Sequence, residues 1–263
     1  MIVIKYGGHA MSDNPHEVAP WISALQERIV TGEKFVIVHG GGPQIDLALT
    51  AAGLPKKFVG GYRVTTPEIF AVVEHVLTGQ VLRQLVRIFR GAGINAVGIT
   101  GSDGDLLQVR EKRIVIDGVE QSIGQVGDVV GVDPRVLTTL INAGFLPIVS
   151  PVSTTSDGIG MNVNADIAAG AIAGALQADQ ALFMTDVPGI YSRWPDRSSL
   201  INEITSAELT KIAHTFESGM APKVTACLNA VNAGAKSARI IDGTNPKNFS
   251  EALAERGGTL VKA

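Results

Sequence analysis

Two lysines and a run of two amides and a carboxylate at alternate positions are the side chains whose type and spacing best suit chemistry. Lys5 follows the apolar run Ile2–Ile4 and lies inside the turn Lys5-Tyr6-Gly7-Gly8. Two more glycine-rich turns follow apolar runs, His39-Gly40-Gly41-Gly42 and Thr100-Gly101-Ser102-Asp103-Gly104. Successive glycines free backbone N–H groups to face an anion, and a helix opening after Gly42-Pro43 adds its positive end. Three such turns at one sheet edge, the first carrying a lysine, point to a phosphorylated ligand. Lys223, after Gly219-Met220-Ala221-Pro222, falls in the first turn of a predicted helix. A cation there opposes the helix dipole, so a purely structural role suits it poorly. Asn162-Val163-Asn164-Ala165-Asp166 precedes a helix of small residues. One Asn or Asp suffices to cap that helix, and here three alternate.

Several familiar chemistries are missing. No Gly-x-x-x-x-Gly-Lys-Ser/Thr loop occurs, which excludes a P-loop kinase. Gly91-Ala92-Gly93-Ile94-Asn95-Ala96 matches the dinucleotide fingerprint in letters but ends a helix and precedes a strand, so it reads as a helix C-cap and turn. His39 ends an apolar run and reads as a turn-stabilising hydrogen-bonding residue, and His9, His16, His75 and His214 receive no role. Asp103 and Asp105 read as an exposed turn rather than a metal site. The single cysteine, Cys227, excludes an intramolecular disulfide or a cysteine zinc cluster and reads as helix packing.

The elements that must hold these residues follow from periodicity. Short apolar runs at Ile2–Ile4, Phe35–Val38, Ala96–Ile99, Pro147–Val149, Ala181–Met184, Ala238–Ile241 and Thr259–Val261 read as buried strands. Between them lie helical patterns: Val18, Trp21, Ile22, Leu25 and Ile29 ending at Gly32, a long helix from Thr66-Pro67 to about Arg90, and Ala165–Leu176. This alternation predicts an α/β fold, a three-layer αβα sandwich around a mainly parallel sheet. Lys57–Thr65 and Gln108–Val130 alternate polar and apolar residues around Gly60-Gly61 and Asp117-Gly118, and read as hairpins laid over one end of that sheet. A weak boundary near Asp179 divides a 1–178 lobe from a 179–263 lobe sharing one continuous sheet. With 45% hydrophobic residues over 263, the chain can bury a sizeable core, while a net charge of −3 gives no general attraction to nucleic acid or anionic lipid. Neither a signal-peptide pattern nor a bilayer-length apolar run is evident, so a soluble cytoplasmic protein is expected.

Together these segments resemble the amino acid kinase superfamily, and within it the N-acetylglutamate kinases. The resemblance runs in order over essentially the whole chain. It takes in Lys5-Tyr6-Gly7-Gly8, His39–Gly42, the hairpin Gly61-Tyr62-Arg63-Val64-Thr65 and Asn162–Asp166. Farther on it includes Thr185-Asp186-Val187-Pro188-Gly189-Ile190-Tyr191 and Gly219 through Lys223. Arg-Trp-Pro-Asp-Arg at 193–197 is reminiscent of actinobacterial members.

Carried over, the resemblance implies ATP-dependent phosphorylation of the side-chain carboxylate of N-acetyl-L-glutamate, a step of arginine biosynthesis. Arg63 and Asn162, with backbone at Gly41 and Gly42, would hold the acetylglutamate. Lys5 and Lys223 would reach the transferring phosphoryl, with Asp166 orienting both lysines. Gly7, Gly8, Asp186, Val187, Pro188, Gly189, Ile190, Tyr191, Thr215, Phe216, Glu217, Ser218, Gly219 and Met220 would line the ATP, with Mg²⁺ bound through its phosphates and no protein metal site. The attacking carboxylate is already ionised, so no general base is required. Carrier-linked aminoadipate kinases share the fold but alter Gly42 and the Asn162–Asp166 pattern, which this chain keeps. A catalytically silent homologue would not need Lys5, Asp166 and Lys223, and a nicotinamide-dependent dehydrogenase is weakened by the misplaced glycine fingerprint. Arginine-inhibited members carry an extra N-terminal helix, whereas Met1 is followed at once by the first strand. Glu251–Thr259 is also shorter than the arginine-binding pattern, so an arginine-insensitive homodimer paired through the long helix is expected.

Overall fold

A computed structural model describes residues 1–7, 11, 15–116, 118–216 and 220–263. In chain order the elements are β1 (Ile2–Tyr6), α1 (Pro15–Val30), β2 (Phe35–His39), α2 (Gly42–Ala51), β3 (Phe58–Val59), β4 (Tyr62–Arg63), α3 (Pro67–Glu74), α4 (Leu82–Gly91) and β5 (Ala96–Thr100). They continue with β6 (Leu107–Ile116), β7 (Val119–Val132), α5 (Arg135–Asn142), β8 (Leu146–Ser150), β9 (Val152–Thr154), β10 (Gly160–Val163) and α6 (Ala165–Ala175). The last are β11 (Gln180–Thr185), β12 (Glu203–Thr205), α7 (Ser206–Ile212), α8 (Ala221–Asn232), β13 (Ser237–Asp242), α9 (Pro246–Leu253) and β14 (Thr259–Lys262).

All seven apolar runs become strands of one eight-stranded sheet, ordered β12-β14-β13-β11-β1-β2-β8-β5. Its pairings are parallel except β13 with β14. The eighth strand, β12, carries only Glu203-Ile204-Thr205 between exposed flanks, too short and polar to signal itself. The predicted αβα sandwich is therefore present. Strand alternation divides the core: Ile2, Ile4, Tyr6, Phe35 and Ile37 join α1, α2, α4 and α9 on one face. Val3, Val36 and Val38 join α5, α6 and α8 on the other.

On the first face Trp21 is a hub, its ring 4.9 Å from Tyr6, 5.4 Å from Phe89 and 5.3 Å from Phe249, tying α1 to β1, α4 and α9. The predicted stripe of α1 is present at Trp21, Ile22 and Leu25, and Gly32 turns the chain at φ +93°. The Val18 side chain lies outside the described residues. Thr66 caps the long helix as predicted, and it runs to Gly91 with a π-helical stretch at His75–Val81. That helix is long and apolar enough to cross a membrane by length and composition alone. Its apolar side is nevertheless core, with Ile69, Phe70, Val73, Leu77, Leu82 and Phe89 all buried.

The hairpins build a second layer. β3 and β4 meet at Gly60-Gly61, both at positive φ (57° and 82°), which suits glycine in a two-residue turn. The longer hairpin, β6 with β7, is half of a four-stranded sheet ordered β6-β7-β10-β9. Its turn residue Asp117 lies outside the described residues. Thr65 stitches the two hairpins together: its N–H donates to Ile123 O at 2.9 Å and its carbonyl accepts from Gln125 N at 2.7 Å.

His39, the last residue of β2, is fully buried, and its Nδ1 lies 2.8 Å from Gly40 O, the predicted turn hydrogen bond. Burial lowers its pKa from 6.5 to about 4, against the opposing Gly40 hydrogen bond. The unfolded chain takes up this proton near pH 6.5 and the folded one only near 4, so stability is complete above the first value and falls as pH drops toward the second. The expected loss across that window is up to about 3 kcal/mol. Denaturant midpoints measured from pH 7.5 to about 4.5 should fall less steeply in His39→Gln than in the parent, and identical slopes would contradict a buried neutral imidazole.

Candidate active site

β1 is the central strand, registered against β11 on one side and β2 on the other. Lys5 shares the parity of Val3, so it faces the α6 side of the sheet, and Asp166 stands in the first turn of α6. Lys5 Nζ and Asp166 Oδ1 form an ion pair at 3.0 Å, with side chains 12% and 29% exposed. Of the three residues in the Asn-x-Asn-Ala-Asp run, only Asn164 caps the helix, its Oδ1 accepting from Asp166 N at 2.8 Å and Ile167 N at 3.2 Å. Asn162 and Asp166 are thereby left for other partners.

The first two glycine turns meet back to back. A Cβ on Gly7 would lie 3.0 Å from Gly40 N and 3.3 Å from the Lys5 side chain. One on Gly41 would collide with Leu77 at 2.7 Å, whereas Gly42 has nothing within 4 Å. Packing thus requires glycine at 41 and leaves open space at 42. The third turn does not join them. It follows the edge strand β5 and is closed internally, Asp103 Oδ2 accepting from Thr100 N at 2.7 Å. The expectation that all three turns share one site is therefore corrected: the third stands apart from the other two. Edge position could not be read from the sequence, because strand order is a long-range property.

A cavity of about 250 Å³ is lined by Lys5, Gly41, Gly42, Arg63, Asn162 and Asp166, the predicted substrate and catalytic residues apart from Lys223. Phe58 and Tyr62 of the short hairpin close it. Arg63 is buried to 8% exposure, its Nη2 is 2.7 Å from Asp46 Oδ1 on α2, and its guanidinium carbon lies 4.6 Å from the Phe58 ring centroid. Its Nη1 is buried without a hydrogen-bond partner. Asn162 pairs with Val126 across the β10–β7 register and donates Nδ2 to Thr65 Oγ1 at 3.3 Å. Tyr62 is braced from the long hairpin by Lys112, 4.6 Å from its ring centroid and 3.0 Å from Asp128. Sequence reasoning missed Asp46, which meets Arg63 from α2, and Phe58, which faces Arg63 across the short hairpin.

A second cavity of about 470 Å³ is lined by Asp186, Val187, Tyr191, Thr215, Phe216, Met220 and Lys223, together with Ser192, Arg193 and Trp194. Pro188, Gly189 and Ile190, expected at the same ligand, are not among its lining residues. Ile190 is core, its N–H donating to Thr259 Oγ1 at 2.8 Å, and a Cβ on Gly189 would meet that same hydroxyl. Gly189 and Ile190 thus shape the loop from inside, while Pro188 is exposed away from the cavity lining. Gly7 lines neither cavity and instead packs on Gly40. Gly8, Glu217, Ser218 and Gly219 lie outside the described residues. Lys223, in the first turn of α8, pairs with Asp186 at 3.5 Å, so the ion pairs divide: Lys5 on Asp166, Lys223 on Asp186. Cys227 is fully buried in α8 with its thiol pKa raised by burial, which fits the packing role expected of it.

The sequence model of the amino acid kinase family matches residues 1–242. An acetylglutamate kinase of Corynebacterium urealyticum is 44% identical over 265 aligned residues, covering 100% of this chain and 87% of the relative. One of Salinispora tropica is 46% identical over 242, covering 92% and 82%. A Streptococcus mutans crystal structure superposes with a TM-score of 0.79 at 29% identity, covering 100% of this chain and 98% of that one.

The Arg63–Asp46 pair generates a measurable expectation. Asp46→Ala strips the buried guanidinium of its counter-charge, and the expected loss of stability is about 1–2 kcal/mol, well below that for a fully buried pair because the Asp46 side chain is 38% exposed. A double-mutant cycle with Arg63→Ala should return a coupling of about 1 kcal/mol. Additive effects would mean that the two side chains do not depend on each other.

Proposed function

The chain belongs to the amino acid kinase family, and we propose that it transfers the γ-phosphoryl group of ATP to the side-chain carboxylate of N-acetyl-L-glutamate, the second step of arginine biosynthesis. The observation that carries this reading is the first cavity, where a buried arginine with an unsatisfied donor shares one space with the Lys5–Asp166 pair. The α-carboxylate of the substrate meets the Arg63 fork, whose free Nη1 gains the acceptor it lacks. Asn162 and the backbone at Gly41 and Gly42 hold the rest of the molecule. The γ-carboxylate, ionised at neutral pH, attacks the γ-phosphorus; the bond to the bridging oxygen breaks and ADP leaves with that electron pair. No proton need move, and no general base is assigned.

Charge compensation is then the main contribution of the protein. Lys5 is held by Asp166 at the end of β1, and Lys223 approaches from the first turn of α8, so the transferring group is met by an ammonium from each half of the sheet. ATP occupies the second cavity, and Mg²⁺ carried on its phosphates would add positive charge at the transferring group. In this reading residues 1–178 carry acetylglutamate and 179–263 carry the nucleotide. Two copies pair through the exposed side of the helix from Pro67 to Gly91, which presents Glu74, His75, Arg83 and Arg87 to the surface.

ADP release measured in parallel with N-acetylglutamate, glutamate, aspartate and carbamate should be fastest with the first. Preference for any other acceptor would overturn the reading. Lys5→Ala or Lys223→Ala should lower kcat by roughly 10²–10³-fold, the loss typical of one preorganised electrostatic donor. Arg63→Ala should raise KM for N-acetylglutamate far more than KM for ATP.

A further inference from the structure

The second cavity combines two chemistries. Tyr191 and Trp194 stand edge to face with ring centroids 5.2 Å apart, while Lys223 supplies a cation paired with Asp186. Flat aromatic surface beside an ammonium suits a ligand with a planar base and an anionic tail. The two aromatics are not equivalent. Tyr191 is 5% exposed and belongs to the core, whereas Trp194 is 59% exposed. Trp194 therefore offers an open π-face on the cavity wall, where Tyr191 offers little.

The indole is also held ready. Ser192 N donates to Ser199 O at 3.0 Å, Arg193 N donates to Ser199 Oγ at 3.1 Å, and the Ser199 hydroxyl donates to Asp196 O at 2.6 Å. Asp196 in turn accepts from Ser198 N at 2.9 Å and from Arg193 Nη2 at 3.1 Å. A turn closed by this many bonds presents its side chain at little entropic cost on binding.

We propose that Trp194 is the stacking platform for the nucleotide base. The inference rests on the reading that this cavity holds ATP, and it assigns the base to a residue on the segment after Tyr191 rather than to Pro188–Ile190, of which Gly189 and Ile190 are buried and none lines the cavity. The base lies on the indole and the phosphates extend toward Lys223. Stacking uses a π-face that every base possesses, so this contact strengthens binding without selecting the base.

The chain contains two tryptophans, and the other, Trp21, is 2% exposed in the aromatic hub. Trp21 emits from the core as a constant background, so the ligand-dependent change in emission that is lost in Trp194→Phe reports on Trp194. ADP titrated into the parent should quench the emission, and Trp194→Phe should show no quenching while still binding ADP. Trp194→Ala should raise KM for ATP by about 10-fold, the loss of one base–aromatic stack, with a smaller change in kcat. Trp194→Phe should recover most of that loss. Inhibition by inorganic tripolyphosphate, which has no base, should be the same in all three proteins, and KM for N-acetylglutamate should not move. An unchanged KM for ATP in Trp194→Ala, or a weakening of tripolyphosphate equal to that of ATP, would overturn the stacking role. Failure of ADP to bind the parent in equilibrium dialysis would instead overturn the kinase reading, and the proposal with it.

Discussion

The placement of β1 between β2 and β11 is the constraint on which the rest depends. It is the seam at which strands from the two ends of the chain join one sheet, and its last turn carries Lys5. Parallel pairing on both sides brings the ends of β1, β2 and β11 to one edge, so the two candidate cavities lie on either side of a single strand. Strand parity then sends Lys5 to the α6 face, the only face on which Asp166 waits. A one-residue slip of β1 would turn Lys5 into the aromatic hub around Trp21 and expose Ile4 to the site.

Around that seam the site is assembled from charges that are each fixed by a partner. Lys5 is tied to Asp166, Arg63 to Asp46 and Phe58, Lys223 to Asp186. A buried or half-buried cation without such a partner would be costly, and a flexible one would have to be ordered at each turnover. The arrangement leaves each cation in place while retaining unfilled capacity, as the Arg63 Nη1 shows. An enzyme that transfers a phosphoryl group between oxygens needs this kind of preorganised positive charge more than it needs acid–base groups. Among the described residues the buried histidine beside the site, His39, is accordingly a structural residue with its pKa pressed to about 4.

The two hairpins perform a different task. The short one carries Arg63 and Tyr62 over the carboxyl edge of the sheet, and the long one is rooted in the core through Leu107 and Val109. Their stability comes from each other: Thr65 bonds into β7, Lys112 braces Tyr62, and β7 pairs β10 to present Asn162. The residues proposed to hold the substrate are thus mounted on two small sheets, Arg63 on the β3–β4 pair and Asn162 on β10, the strand that leads directly into α6 and Asp166.

Local chemistry in the sequence determined most elements of this protein: seven of the eight strands of the main sheet, the capped long helix, the glycine turns and the residues Lys5, Asn162, Asp166 and Lys223, while Arg63 stood out only through the family resemblance. Apolar period, capping residues and glycine pairs act over a few residues, so they are legible without the fold. Tertiary structure alone decided which of these came together. Strand order placed the Thr100–Gly104 turn beyond reach of the site, and loop packing against Thr259 drew Ile190 and Gly189 away from the cavity surface. The same packing left Trp194 open on it, and the approach of α2 to β4 gave Arg63 its Asp46 partner. Those outcomes depend on contacts between segments far apart in the chain, and no spacing within one segment encodes them.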